Sequence, residues 1–129
     1  MHGLKNFDYR NSTQTATLFG VVFIAVAVLG FIPNPLVSPT GLFAVNTAHN
    51  ILHAIVGVAL LAAAKTGYAK KALLVFGIIY VLVAMLGYMT MGDLLGIVRV
   101  NMPDHYLHLL LGIVLIVVGV KAAEPVKKK

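Results

Sequence analysis

The sequence predicts an all-α integral membrane protein: a four-transmembrane-helix bundle made of two parallel two-helix repeats, with a pseudo-twofold axis along the membrane normal. Three observations predict it. Hydrophobic residues make up 60% of the 129 and charged residues only 11%, with a mean hydropathy of +0.94, too little charge to cover a water-soluble domain. Four stretches, roughly Thr13–Phe31, Asn46–Ala64, Lys70–Met89 and Asn101–Val120, each supply the run of about 20 mostly apolar residues that crosses a bilayer. And the chain resembles itself at a spacing near 55 residues, as set out below.

The first stretch follows a short polar segment that has some character of a signal-peptide n-region. The apolar run is longer than a signal h-region and no small-x-small cleavage site follows it, so helix 1 is expected to be retained. Ser12 or Asn11 suits its N-cap. The loop that follows, Pro33–Gly41, carries three prolines and cannot be a regular helix. It leads through Leu42-Phe43-Ala44-Val45 into helix 2. The equivalent loop before helix 4, Leu94–Val100, is equally apolar. Both are expected to fold back at the interface and cap the mouth of the bundle, or to serve as a docking surface. Between helices 2 and 3, Lys65-Thr66-Gly67-Tyr68-Ala69-Lys70 reads as a tight turn.

Helices 1 and 3 align from Phe19–Phe31 onto Phe76–Tyr88 at an offset of 57. Phe19, Gly20, Val26, Ala27, Leu29 and Gly30 recur as Phe76, Gly77, Val83, Ala84, Leu86 and Gly87. Helices 2 and 4 align at an offset of 55 in the frame V-N-x-x-[HD]-x-x-L-H-x-x-x-G, from Val45 to Gly57 and from Val100 to Gly112. The chain therefore reads as one membrane domain, 1–129, with repeat 1 at about 13–64, repeat 2 at about 70–120 and a basic tail at 121–129. An even number of spans per repeat makes the halves parallel. Gly20, Ala27, Gly30 and their equivalents Gly77, Ala84, Gly87 offer small faces where helices approach closely.

Charge sets the orientation. Lys5, Arg10, Lys65, Lys70, Lys71, Lys121, Lys127, Lys128 and Lys129 fall on one side, and Arg99 alone on the other. The positive-inside rule then puts both termini and the Lys65–Lys70 turn in the cytoplasm, and the protein in the cytoplasmic (plasma or inner) membrane. The net charge of +6 is explained by this placement, so no nucleic-acid partner is expected, and the terminal lysines read as an anchor on anionic headgroups. The chain has no cysteine, which excludes disulfides, thiolate metal sites and Cys nucleophiles.

The repeated frame carries the polar residues. About 100° per residue places Asn46, His49, His53 and Gly57 on one stripe of helix 2, and Asn101, Asp104, His108 and Gly112 on one stripe of helix 4. Much of this has a local structural explanation. Asn46 and Asn101 suit N-caps, Pro103 suits a first turn, and Asp104 can bond back to its cap. His53 and His108 do not fit that explanation, because they lie about 10 Å below the cap, where ionisable residues mark functional sites. Their bland role is a pair of neutral rings bonded to each other, to a carbonyl or to water.

Two cofactor readings follow. In the first, His49 and His53, spaced i, i+4, face Asp104 and His108 and hold a transition metal (Zn, Fe, Mn or Cu), with Asn46, Asn50, Asn101 and His105 orienting the ligands. In the second, His53 and His108 are the axial ligands of a haem b, and Gly57 and Gly112 make room for the macrocycle. No charged residue lies on the cytoplasmic half of helix 2 or 4, which argues against a transporter. No nucleophile–base pair, phosphate loop or carboxylate dyad is present, so no catalytic residue is assigned and the reading leans away from an enzyme. His2 and His105 are expected at the surface.

The motifs N-x-x-H-N-x-x-H on helix 2 and N-x-x-D-x-x-x-H on helix 4, at Asn46, His49, Asn50, His53, Asn101, Asp104 and His108, resemble a family of small, mostly bacterial membrane proteins catalogued as a domain of unknown function. The resemblance covers nearly the whole chain, including helices 1 and 3 with their glycine ends. It implies a four-helix integral membrane protein and no particular reaction. The rival to a cofactor site is a non-catalytic accessory subunit of a larger membrane complex, or a homo-oligomer, with no cofactor and the histidines as internal clasps. The relative direction of the two stripes separates these readings.

Overall fold

The structure, a computed structural model, describes residues 7–123. His2, Lys5, Lys127, Lys128 and Lys129 lie outside the described residues. Four helices follow in order: α1 (Ser12–Leu29), α2 (Thr47–Thr66), α3 (Ala69–Thr90) and α4 (Met102–Lys121). At 18 to 22 residues and 1.5 Å per residue, each is about 27–33 Å long, enough to cross a hydrocarbon core of about 30 Å. The protein is an all-α four-helix membrane bundle.

Each boundary has a local cause. Asn11, rather than Ser12, caps α1, its side chain accepting from the Gln14 amide. α1 ends at Leu29, two residues earlier than expected. Asn46 and Asn101 cap α2 and α4, accepting from the amides of His49 and Asp104. α2 stops at Gly67, whose φ of 84° is the left-handed conformation that glycine adopts without a Cβ clash. At this end Lys70 reaches to α4 and donates to the Val120 carbonyl (3.1 Å) and the Ala122 carbonyl, placing a cation on the negative end of that helix. Ser12 Oγ donates to the Ala123 carbonyl (3.1 Å), tying the start of α1 to the end of α4.

α1 packs closely on α2, and α3 on α4. Apolar burial does not drive helices together in lipid, so close backbone approach has to supply the contact. A Cβ on Gly57 would lie 2.9 Å from the Gly20 carbonyl oxygen, and one on Gly20 would lie 3.0 Å from that of Gly57. Gly112 and Gly77 meet in the same way at 2.8 and 3.0 Å. The buried faces of α2 (His49, Asn50, His53, Gly57, Leu60) and α4 (Asp104, His105, His108, Gly112, Leu115) correspond position by position at an offset of 55. Between the hairpins, α1 also meets α3 and barely touches α4, while no Cα of α2 comes within 8 Å of a Cα of α4 among the described residues. The core runs through Ala16, Phe23, Leu60, Leu73, Tyr80 and Leu115.

The loops fold over one end. Val37–Ser38 pairs in parallel with Phe43–Ala44, a two-residue ladder that the prolines gave no reason to expect. Asn34 pins this loop, donating to the Leu29, Ile32 and Val37 carbonyls and accepting from the Leu36 and Val37 amides. Val37 and Ala44 of this ladder are buried, as are Val45 and Val100. Each cap asparagine also crosses to the other loop. Asn46 Nδ2 donates to the Ile97 carbonyl (2.9 Å) and Asn101 Nδ2 to the Leu42 carbonyl (2.9 Å), donors and acceptors alike lying 55 residues apart.

Candidate functional site

The two polar stripes meet below these loops. Because the α2 and α4 backbones stay apart, only long side chains bridge them, and the bridge is made of imidazoles. His49 lies with its ring centroid 4.4 Å from that of His53 and 5.5 Å from that of His108, and His53 and His108 are 6.3 Å apart. All three are at most 7% exposed. One potential ligand nitrogen from each falls within 4.8 Å of the other two.

The rings are held from both sides. Towards the loops, His49 Nδ1 lies 2.7 Å from the Arg99 carbonyl oxygen. A carbonyl only accepts, so Nδ1 carries the proton, and in the neutral ring Nε2 keeps its lone pair. This is how a metal-binding histidine is commonly oriented. Towards the membrane centre, Phe23 of α1 packs on His53 (5.7 Å) and Tyr80 of α3 on His108 (5.2 Å), and the two aromatic rings touch (5.4 Å). His53 Nδ1 and His108 Nδ1 are buried with no hydrogen-bond partner among the described residues, an unsatisfied state that costs about 1–3 kcal/mol per group when nothing binds.

The other expected site residues sit elsewhere. Asp104 does not join the three rings. Its Oδ2 accepts from the Asn101 amide (2.9 Å) while Asn101 Oδ1 accepts from the Asp104 amide (3.3 Å), a complete capping box. The expected four-ligand set is thus three imidazoles, the carboxylate being taken up by its own helix end. Asn50 and His105 do not orient these rings. Asn50 fills the notch left by Gly30, which caps the end of α1, and His105 the notch left by Gly87 on α3. His105 is therefore buried, at 6% exposure, not at the surface. Asn46 and Asn101 hold loops, not ligands. Two groups went unseen in the sequence: the Arg99 carbonyl, which leaves no side-chain signal, and the Phe23–Tyr80 floor, which the 57-residue offset already pairs.

A metal and a haem fare differently here. Tetrahedral coordination at about 2.0–2.1 Å puts ligand nitrogens about 3.4 Å apart, so modest ring rotation closes the set. Three neutral imidazoles suit Zn, Cu or Fe; Mn favours the carboxylate that Asp104 commits to the cap. The room expected for a macrocycle beside Gly57 and Gly112 is taken up in this structure. The His49 ring sits against both His53 and His108, and the space beside Gly57 and Gly112 is filled by the backbones of α1 and α3.

Fold and site together define a small multi-pass membrane protein with a buried imidazole cluster bridging two of its four helices. The chain belongs to the family described as domain of unknown function DUF4383, which matches residues 13–121. No curated protein and no solved structure matches it.

Proposed function

We propose that the protein is a transition-metal-binding membrane protein whose ligands are His49, His53 and His108. The observation that supports this most is the convergence of three buried imidazoles from two helices whose backbones do not touch, one of them with its Nδ1–H pinned to a carbonyl. Zn or Cu is the expected ion, with Fe next, and the fourth position is open. The chain is a tandem duplication of a helical hairpin. Its two halves diverged at 49/104, where one copy kept a ligand and the other a cap. The loop end faces away from the cytoplasm.

Elemental analysis of untagged protein, purified gently from its native membrane, tests the reading. About one transition-metal ion per chain is expected. His53→Ala with His108→Ala should abolish it, His49→Ala should lower it at least about tenfold, and His105→Ala should leave it unchanged. Metal content that is the same in the double variant refutes the site.

A second reading is an accessory subunit of a larger membrane complex. Met91, Leu95 and Ile97 favour it, being 76%, 83% and 64% exposed on the loop that precedes α4. Recovery of a large metal-free assembly in the same purification supports this reading over the first.

A further inference from the structure

A second cluster of ligating side chains lies outside the three-imidazole site, in an open cavity of about 410 Å³ between α3 and α4 at the loop end of the bundle. α3 lines it with Met85 and Met89, spaced i, i+4, and α4 lines it with His105. Tyr88 and Tyr106 line it too, each more than half exposed. Met85 and Met89 are 54% and 76% exposed, so their thioethers are open to a solute, whereas His105 is 6% exposed.

Packing alone does not account for these residue types. His105 presses on Gly87 through Cε1 and Nδ1, and Nδ1 is covered, with no hydrogen-bond partner among the described residues. Nε2 is the nitrogen left uncovered, on a ring that lines the cavity. With its proton on Nδ1, the neutral ring offers the Nε2 lone pair to a ligand. The first repeat shows what the notch by itself requires. There Gly30 receives Asn50, and the positions equivalent to Met85 and Met89 at the offset of 57 are Val28 and Ile32. Shape and apolarity are satisfied in that copy without sulfur or imidazole, and a groove that only held lipid tails would need neither. The second repeat carries a soft or borderline donor at all three positions.

From this we infer that Met85, Met89 and His105 form a second metal site, selective for Cu(I), in the α3–α4 groove. Thioether sulfur is a soft donor that selects Cu(I), and imidazole suits copper as well. Met is unbranched with three rotatable bonds, so two of them one turn apart can bring their sulfurs onto one ion. No carboxylate is among the lining residues, and three neutral donors favour a monovalent ion over a divalent one, whose desolvation costs more. The inference goes beyond the three-imidazole reading and shares no ligand with it. Air oxidises Cu(I), and Cu(II) prefers imidazole and oxygen donors to thioethers. The ion kept through ordinary purification therefore reports the three-imidazole site, and this one has to be loaded without oxygen.

The test supplies Cu(I), kept reduced by ascorbate under argon, to the full chain in dodecyl maltoside at one ion for each of the two sites, and reads copper X-ray absorption. The chain has no cysteine, so any sulfur on copper is a methionine. Copper-bound sulfur is expected, and Met85→Leu with Met89→Leu, a swap close in volume, should remove it while the metal of the aerobically purified protein is kept. In the His53→Ala, His108→Ala background, which lacks the three-imidazole site, about one Cu(I) per chain should still bind. Adding His105→Asn, the residue that fits the Gly30 notch, should weaken that binding at least about tenfold against a chromogenic Cu(I) chelator. If circular dichroism shows the double-alanine background unfolded, the sulfur comparison in the chain with its histidines intact decides alone. Copper without sulfur, or sulfur retained in the folded double-leucine variant, overturns the inference and leaves the three-imidazole site standing. Zn(II) held in the groove as tightly as Cu(I) also overturns it.

Discussion

Replacing Asn101 tests how the loops hold the site together. Its side chain makes three connections: Oδ1 accepts from the Asp104 amide (3.3 Å) and the Ala44 amide (3.2 Å), and Nδ2 donates to the Leu42 carbonyl (2.9 Å). The first is a helix cap, worth about 1 kcal/mol. The other two fasten the loop of one hairpin to the helix of the other, at about 0.5–1.5 kcal/mol each. Asn101→Ala removes all three and should cost about 2–4 kcal/mol. Asn101→Ser keeps a good cap but is too short to reach Leu42 or the Ala44 amide, so it should cost about 1–3 kcal/mol, less than Ala by the cap. Reversible unfolding in mixed micelles with increasing SDS, followed by far-UV circular dichroism, measures both. Hydrogen exchange at the Ala44 amide localises the effect, because both variants should lose protection there. Equal costs for Ala and Ser, or an Ala cost below about 0.5 kcal/mol, would refute the double role.

Two further outcomes follow from the packing and the charge pattern. Gly112→Val puts a branched side chain where the Gly77 carbonyl lies 2.8 Å from a Cβ; it should destabilise by about 1–3 kcal/mol and separate α3 from α4, whereas Gly92→Ala, with only the Thr90 carbonyl oxygen nearby at 3.9 Å, should be close to neutral in the same unfolding assay. For orientation, a cysteine introduced into this cysteine-free chain at Thr40 should react with an impermeant maleimide from outside intact cells and one at Thr66 should not; the reverse pattern would invert the assigned topology.

How much of this was legible in the residues depends on the range of the forces involved. Helix existence and ends are local matters. Run length, cap chemistry and glycine place the four spans within two residues of where they stand, and N-capping by Asn46 and Asn101 follows from side chains that bond three residues ahead. The 3.6-residue period also determines that His49, His53 and Gly57 share one face, and likewise Asp104, His108 and Gly112. Periodicity orders residues around one helix axis but says nothing of how that helix is rotated against its neighbours. That rotation is settled by the Gly20–Gly57 and Gly77–Gly112 approaches, which lock each hairpin and turn the stripes inward.

Three outcomes were decided only by the tertiary structure. Positions 49 and 104 are equivalent in sequence, yet His49 enters the cluster because the Arg99 carbonyl, fifty residues away, takes its Nδ1–H, while Asp104 is held by the nearest amide of its own helix end. His105 reads as a surface residue until Gly87 of a different helix opens a notch for it. And the seam between α1 and α4 is absent from any local pattern, because it exists only where two helices fail to meet. The sequence by itself determined the membrane class, the spans, the caps and the burial of His53 and His108, since these depend on hydropathy and on contacts within one helical turn. Which rings converge, and on what, awaited the packing of four backbones, because that depends on distances between residues the chain keeps far apart.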